Sequence, residues 1–231
     1  MTDRTLYRAA KSVVAPATRL IMRPQVQGAH NVPLDGPVLL ASNHLSFIDS
    51  VVIPLVAPRQ VRFLAKSDYF TGTGVKGTAS RLWFETMGMI PIERDDAQSA
   101  AKSLQLALDV LAQGDAFGIY PEGTRSRDGR LYRGHTGVAY LALTAGVPVV
   151  PVGLVGTDRV QPPGDNRVHR APFTVRFGKP IDPLLGYADM PSGRARRGLT
   201  DHIMDAVAEL SGQPRCSDYN ERPATADGHV G

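Results

Sequence analysis

The chain has little cysteine and no long apolar run, and each absence excludes a class of protein. Its single cysteine, Cys216, permits no internal disulfide and supplies too few ligands for a zinc site, which indicates a reducing environment. No stretch of about 18 consecutive apolar residues occurs, so the sequence predicts no transmembrane helix. The residues after Met1 lack the apolar segment of a secretory signal, and none is expected.

Aromatic residues and excess charge are also scarce. Only 6% of residues are aromatic and the formal net charge is +4. Neither a basic helical stripe nor a stacking platform for bases occurs, so nucleic acid is not an expected partner. A mild basic excess does suit a substrate or surface that carries phosphate.

What the chain contains is enough apolar sequence for one well-cored domain. It has 231 residues, of which 42% are hydrophobic. Short apolar runs alternate with helical patterns, which predicts an α/β fold in layers: a mostly parallel sheet of about seven strands flanked by helices. The predicted strands are Val26–His30, Pro37–Ser42, Val61–Ala65, Met87–Ile92, Ala116–Tyr120, Val147–Val155 and Phe173–Phe177. The predicted helices are Phe47–Leu55, Lys76–Glu85, Ala97–Ala112, Thr136–Thr144 and Gly193–Leu210.

The two ends of the chain differ from this pattern. Residues 1–23 form an amphipathic helical segment, residues 24–212 the predicted domain, and residues 213–231 a polar tail that we expect to be disordered. In the first segment Arg8, Lys11 and Arg19 are interleaved with apolar residues at helical spacing. Two interpretations stay open: the helix packs on the domain's own core, or it lies on a membrane surface and meets anionic headgroups.

A histidine and an aspartate, His44 and Asp49, flank the turn between a predicted strand and the next predicted helix. The spacing alone is not specific, because His30 and Asp35 share it within a turn. His44, however, follows the carboxyl end of a strand, where α/β folds place their sites. An aspartate that holds the imidazole makes the histidine a general base.

No serine or cysteine stands in a recognisable nucleophile turn. The base is therefore expected to activate a hydroxyl of the substrate and not of the protein. Two alternatives stay open: Ser42 or Ser46 lies near the imidazole, or His44 is a buried structural histidine beside a helix-capping aspartate.

A second polar segment, residues 120–127, follows another apolar strand. Gly123, Thr124 and Arg125 offer backbone N–H groups, a hydroxyl and a guanidinium, which together suit a phosphate. Glu122 has the chemistry to accept hydrogen bonds from substrate hydroxyls. The alternative is an exposed polar turn.

Two further segments carry weaker signals. Residues 88–94 read as a strand that ends in Arg94, either a phosphate ligand or a solvated charge. Residues 147–153 contain Pro148 and Pro151 within a strand, which predicts an edge strand or an unusual backbone path.

Taken in order, these four segments resemble the sequence blocks of the glycerolipid acyltransferases, especially the 1-acyl-sn-glycerol-3-phosphate acyltransferases. The matching blocks are Asn43-His44-x4-Asp49, Gly88-x-Ile90-x3-Arg94, Pro121-Glu122-Gly123-Thr124-Arg125-Ser126 and Val147-Pro148-Val149-Val150-Pro151-Val152. The combination is specific although each block alone is not. Enzymes that acylate lipid A precursors share the histidine block but fit the Pro-Glu-Gly-Thr-Arg block less well.

The resemblance implies a role for each matching residue. His44 is then the base and Asp49 its partner. The residues implied to surround the glycerol phosphate are Lys66, Arg94, Glu122, Gly123, Thr124 and Arg125. Tyr120 departs from the more usual phenylalanine. Gly134–Gly137 replaces a Phe-Lys-x-Gly sequence, so any basic contact from this loop falls to Arg133 or His135.

The resemblance also implies an activity. The expected enzyme transfers an acyl group from acyl-CoA or acyl carrier protein to 1-acyl-sn-glycerol-3-phosphate (lysophosphatidic acid). The product is phosphatidic acid, in phospholipid biosynthesis, and no covalent acyl-enzyme, cofactor or metal takes part. We expect it to act as a monotopic, peripheral protein on the cytoplasmic face of a membrane.

Three alternatives to this activity remain. The first is an acyltransferase for glycerol-3-phosphate or another lipid hydroxyl. The second is a non-catalytic lipid-binding protein, against which the intact His44/Asp49 pair argues, because binding needs no base. The third is a thioesterase, against which the arginines argue.

Overall fold

A six-stranded, mostly parallel β-sheet with helices on both faces forms the centre of the fold. The computed structural model describes residues 7, 11–12, 23–93, 99–165 and 167–221. The strands are Gln25–Gln27 (β1), Val38–Ser42 (β2), Val61–Arg62 (β3), Leu64–Lys66 (β4), Ile90–Ile92 (β5), Ala116–Ile119 (β6), Val149–Val155 (β7) and Thr174–Phe177 (β8). The helices are Asp49–Val56 (α1), Asp68–Thr71 (α2), Gly74–Thr86 (α3), Ser99–Ala112 (α4), Gly137–Ala145 (α5), Thr157–Val160 (α6) and Ser192–Ser211 (α7).

The strand order in the main sheet is β1-β8-β7-β2-β6-β3, and only the β7–β8 pairing is antiparallel. A second, two-stranded sheet pairs β4 with β5 in parallel. The predicted α/β class and parallel sheet are therefore confirmed. The single sheet of about seven strands is corrected to a sheet of six and a sheet of two.

The sheet divides because the predicted strand Val61–Ala65 is broken at Phe63. Phe63 is buried, and its ring occupies the space above Gly118 of β6. A Cβ atom on Gly118 would lie 2.0 Å from Cζ of Phe63, so only glycine leaves room for the ring. The chain leaves the main sheet after β3, and β4 pairs with β5 instead.

Strand β2 shows why the sheet is covered on both faces. All five of its residues are buried, as expected for an interior parallel strand. Since side chains alternate along a strand, Val38 and Leu40 pack on the face that α1 covers, whereas Leu39 and Ala41 pack on the face that α4, α5 and α7 cover.

Strand β7 corrects the expectation that its prolines mark an edge. It lies inside the sheet, between β2 and β8. Pro148 precedes the strand, and Pro151 stands one residue before the first β7–β8 register pair, Val152 with Phe177. Pro151 has no N–H to donate, and it stands where the antiparallel hydrogen bonds begin. Its carbonyl accepts the N–H of Gly178 at 2.8 Å.

Within the first 22 residues only three are described. Tyr7 is buried, and its hydroxyl donates to the carbonyl of Pro54 in α1 at 3.0 Å. The ammonium of Lys11 donates to the carbonyl of Ala57. The rest of the predicted amphipathic segment lies outside the described residues. In the described part of the chain, no helix is both long enough and apolar enough to span a bilayer.

The C-terminal residues 213–220, here called the strap, differ from the expected disordered tail. They run along the loop that follows β6, and the strap residue Arg215 forms a parallel bridge with Leu131. Polar composition predicted disorder, but backbone hydrogen bonds to this loop order the segment. Residues 222–231 lie outside the described part.

Candidate active site

The carboxyl ends of β2, β6 and β7 meet at one edge of the sheet, because the three strands are parallel neighbours. His44 lies two residues beyond β2 and Asp49 begins α1. The Nδ1 atom of His44 lies 2.9 Å from Oδ2 of Asp49. The aspartate side chain is fully buried, whereas that of the histidine is 16% exposed. The predicted pair is thus in contact, with the imidazole open on one side.

Backbone donors hold the carboxylate of Asp49 in place. The same Oδ2 atom accepts the N–H groups of Leu45 at 2.7 Å and Ser46 at 2.8 Å. Three donors therefore converge on one oxygen next to the start of a helix, where a negative charge is favoured. With Asp49 as acceptor, Nδ1 of His44 carries the proton, so Nε2 is the basic nitrogen.

Tyr120 covers one face of the imidazole. Its ring stacks on that of His44 with centroids 3.9 Å apart and planes 9° from parallel. The tyrosine hydroxyl pairs with that of Ser50 at 3.0 Å. Burial, and then the charge of Asp49, raise the pKa of Tyr120 well above its usual value, so its hydroxyl stays protonated. Tyr120 therefore restricts rotation of the histidine ring, a function that the sequence did not predict.

Glu122 joins the two polar loops of the site. Its carboxylate accepts the N–H of His44 at 3.0 Å and, with the other oxygen, the N–H of Tyr132 at 3.0 Å. Burial raises the pKa of Glu122 to about 7, although the two N–H groups lower it. The residue is wholly buried and both of its oxygens accept hydrogen bonds, so it supports the backbone of His44. Its contact with a substrate hydroxyl stays a prediction.

The remaining residues of the second block form a turn beside His44. Gly123 has a φ of +77°, a left-handed conformation that favours glycine, and it is exposed. Thr124 and Arg125 are partly exposed. The N–H of Ser126 donates to the carbonyl of His44 at 2.7 Å, which ties this turn to the histidine.

Of the other two predicted phosphate ligands, only Lys66 lies within the described residues. Lys66 ends β4, is about half-exposed and forms an ion pair with Asp68. Arg94, two residues beyond β5, lies outside the described residues. Strands β4 and β5 run parallel, with Lys66 in register with Ile92. The two strands therefore finish at the same end of the small sheet.

The two serines considered as nucleophiles point elsewhere. The hydroxyl of Ser42 donates to the carbonyl of Asn43 at 3.0 Å, and that of Ser46 to the carbonyl of Gln161 at 2.6 Å. Neither bonds the imidazole. Among the described residues no group of three potential metal ligands occurs.

Asn43 has a structural role that was not predicted. Its side-chain carbonyl accepts the N–H of Leu154 at 2.7 Å, and its amide donates to the carbonyl of the same residue at 2.9 Å. The residue before His44 is thereby fixed to β7. The available signal in the sequence is an asparagine at the end of an apolar strand, which does not by itself indicate this contact.

The arrangement defines an α/β protein with a histidine–carboxylate pair at the carboxyl edge of its sheet, next to a glycine turn. Comparison with known proteins gives the family. A model of the family described as Acyltransferase matches residues 23–155, more than half of the chain. The chain therefore belongs to the acyltransferase family.

Individual relatives agree with this assignment. A chloroplastic 1-acyl-sn-glycerol-3-phosphate acyltransferase of Brassica napus is 34% identical over 183 residues, covering 78% of this chain and 51% of that protein. One of Arabidopsis thaliana is 33% identical over 68% of this chain and 43% of that protein. The chain thus spans about half the length of the curated plant relatives that it matches.

A solved structure shows the same fold. The crystal structure of the 1-acyl-sn-glycerophosphate acyltransferase PlsC from Thermotoga maritima superposes with a TM-score of 0.64 at 25% sequence identity. The match covers 91% of this chain and 83% of that one.

Proposed function

We propose that the chain transfers a fatty acyl group from an acyl thioester to the free hydroxyl of 1-acyl-sn-glycerol-3-phosphate, which gives phosphatidic acid. The donor is acyl-CoA or acyl carrier protein. The observation that carries the proposal is the 2.9 Å contact between His44 and a buried Asp49, with the imidazole partly open to solvent. The names of the relatives supply the substrate class.

The reaction needs no protein nucleophile. Nε2 of His44 accepts the proton of the substrate hydroxyl as its oxygen attacks the thioester carbonyl. The carbon–oxygen bond forms, a tetrahedral intermediate collapses, and the carbon–sulfur bond breaks. The imidazolium returns its proton to the departing sulfur. Asp49 stabilises the imidazolium between these steps, since its carboxylate accepts a hydrogen bond from Nδ1–H.

The turn at Gly123 supplies the proposed phosphate contacts. Among the described residues, the backbone N–H groups of Thr124 and Arg125 donate to no protein acceptor, and the Arg125 guanidinium forms no ion pair. Donors of this kind bind phosphate oxygens strongly. By resemblance, Arg94 and Lys66 complete this set of ligands.

An acceptor panel tests the proposal. The purified chain is incubated with an acyl-CoA and, separately, 1-acyl-sn-glycerol-3-phosphate, glycerol-3-phosphate, a lysophospholipid with a zwitterionic headgroup, or buffer alone. Products are identified by mass. We expect phosphatidic acid as the main product. Free fatty acid at the same rate in buffer alone would instead establish a thioesterase, and preference for another acceptor would overturn the assigned substrate.

A further inference from the structure

The strap contacts the loop of the glycine turn through a short backbone ladder. The N–H of Leu131 donates to the carbonyl of Pro214 at 2.9 Å, and the N–H of Cys216 donates back to the Leu131 carbonyl at 2.8 Å. The N–H of Arg133 continues the ladder to the carbonyl of Asp218 at 2.9 Å. The strap is therefore paired with residues 131–133 of the loop.

Side chains at both ends of the strap extend this attachment toward the site. Gln213 accepts the side-chain amide of Asn43 at 2.6 Å and donates to the carbonyl of Gly129 at 2.9 Å. At the other end the ring of Tyr219 stacks on His135, with centroids 4.8 Å apart. The strap thus joins the residue before His44 to the loop of the second polar block.

Asn220 acts on the glycine turn itself. Its side-chain amide donates to the carbonyls of Thr124 at 3.4 Å and Arg125 at 3.2 Å. In a planar trans peptide the carbonyl of one residue and the N–H of the next point in opposite directions. The N–H groups of Arg125 and Ser126 therefore both point away from the strap. That of Ser126 meets the carbonyl of His44 at 2.7 Å, so this side of the turn faces the histidine.

We propose that Asn220 is a positioning residue of the acceptor site. By holding two successive carbonyls, it turns the Arg125 N–H toward the side on which His44 lies. There the N–H donates to the phosphate of the acceptor. The proposal rests on the proposed function, because it takes the phosphorylated acceptor as the ligand. Its effect is on binding of that substrate and not on the chemical step.

Kinetics of Asn220→Ala in the full chain test the proposal, with apparent KM determined separately for acyl-CoA and for 1-acyl-sn-glycerol-3-phosphate. We expect the acceptor KM to rise about threefold to tenfold, the effect of losing one or two modest hydrogen bonds, while kcat and the donor KM change little. Asn31→Ala is the matched control, because Asn31 also donates to a backbone carbonyl, that of Phe177, at the other end of the sheet. An unchanged acceptor KM, or an equal rise for both substrates, would overturn the proposal.

Amide hydrogen exchange separates this inference from the proposed function. If the wild type fails to acylate the acceptor, the function is wrong. Asn220 is then tested with glycerol-3-phosphate as the probe. We expect the probe to slow exchange at Arg125 in the wild type and in Asn31→Ala but less in Asn220→Ala. Equal protection in all three, or none in the wild type, would refute a positioning role.

Discussion

His44 is fixed on three sides by neighbours of different chemistry. Asp49 holds its Nδ1 atom, Tyr120 covers its ring, and Glu122 holds its backbone N–H. Among the described contacts none involves Nε2, and the side chain keeps 16% of its surface exposed. In the proposed mechanism, Nε2 is the nitrogen that accepts the substrate proton.

Loss of the histidine should therefore abolish transfer without unfolding the protein. For His44→Ala we expect a rate lower by about 10²–10⁴, the usual contribution of a general base. His30→Ala is the control, because His30 precedes Asp35 at the same spacing in the turn before β2 and is exposed. Asp49→Asn should also lose activity, since an amide does not stabilise the imidazolium. A His44→Ala enzyme with more than about a tenth of wild-type turnover would exclude the mechanism.

Glu122 gives stability a pH dependence. Because burial raises its pKa from 4.5 to about 7, the folded protein binds a proton that the unfolded chain releases. Its contribution is therefore fully present below pH 4.5 and is lost as the pH rises through about 7. Glu122→Gln removes this effect. We expect the unfolding free energy of the wild type, minus that of the variant, to be roughly 2 kcal/mol larger at pH 5 than at pH 8. Chemical denaturation at the two pH values measures it. If this difference is the same at both pH values, the pKa of Glu122 is not raised in the folded protein.

The arginines of the proposed phosphate site should affect one substrate. Arg125→Ala and Arg94→Ala are expected to raise the KM for the phosphorylated acceptor about tenfold, because charge-assisted hydrogen bonds are lost. The donor KM should stay near the wild-type value. Arg194→Ala, an exposed arginine of α7, serves as control. A rise confined to the donor would remove these residues from the acceptor site.

At the level of elements, hydrophobic patterning predicted every described helix of eight or more residues, and most described strands, within a few residues. The interior strand β2 and the amphipathic helix α4 carried the clearest signals. The four-residue helices α2 and α6 were not predicted, because one turn has no periodicity to detect. The break at Phe63 was not predicted either, and the contact of its ring with Gly118 joins residues too distant in sequence to give a local sign.

The contact between Phe63 and Gly118 predicts a large effect of a small substitution. A methyl group at Gly118 would overlap the Phe63 ring, which also stacks near Tyr120 at 5.4 Å. Gly118→Ala should therefore destabilise the protein by about 1–3 kcal/mol in chemical denaturation and lower activity through Tyr120. Gly193→Ala is the matched control, since nothing lies within 4 Å of a Cβ there in α7. Equal stability of the two variants would show that the ring moves aside freely.

The site itself was only partly predictable. His44, Asp49 and the glycine turn could be found because each stands in a local motif at a strand end. Asn43 and Asn220 act through backbone carbonyls that lie 95 or more residues away in sequence. Such contacts leave no pattern in the chain, and only the folded arrangement shows them.

At the scale of the whole molecule, the proposed acceptor is a lipid, and an enzyme that acts on it has to meet a membrane surface. We expect the N-terminal segment to provide part of that contact. Lys11 is excluded from it, because its ammonium donates to the carbonyl of Ala57. Arg8→Glu with Arg19→Glu should lower affinity for anionic vesicles at least about tenfold, and added salt should weaken wild-type binding.

Vesicle sedimentation at two salt concentrations measures this effect. The control is Lys179→Glu with Arg194→Glu, an equal charge change at exposed positions elsewhere. If the Arg8/Arg19 variant is folded and binds as tightly as wild type, the contact lies elsewhere. The region of Trp83 and Phe84 is then the next to test.

The bond between Asn43 and Gln213 spans 170 residues of sequence. During synthesis on a ribosome, residue 43 emerges long before residue 213 has been added. The neighbourhood of His44 therefore gains this partner only after the chain up to residue 213 has left the exit tunnel. A nascent chain that stops before the strap would hold the histidine without that support. Emergence of the strap would then complete the surroundings of the histidine.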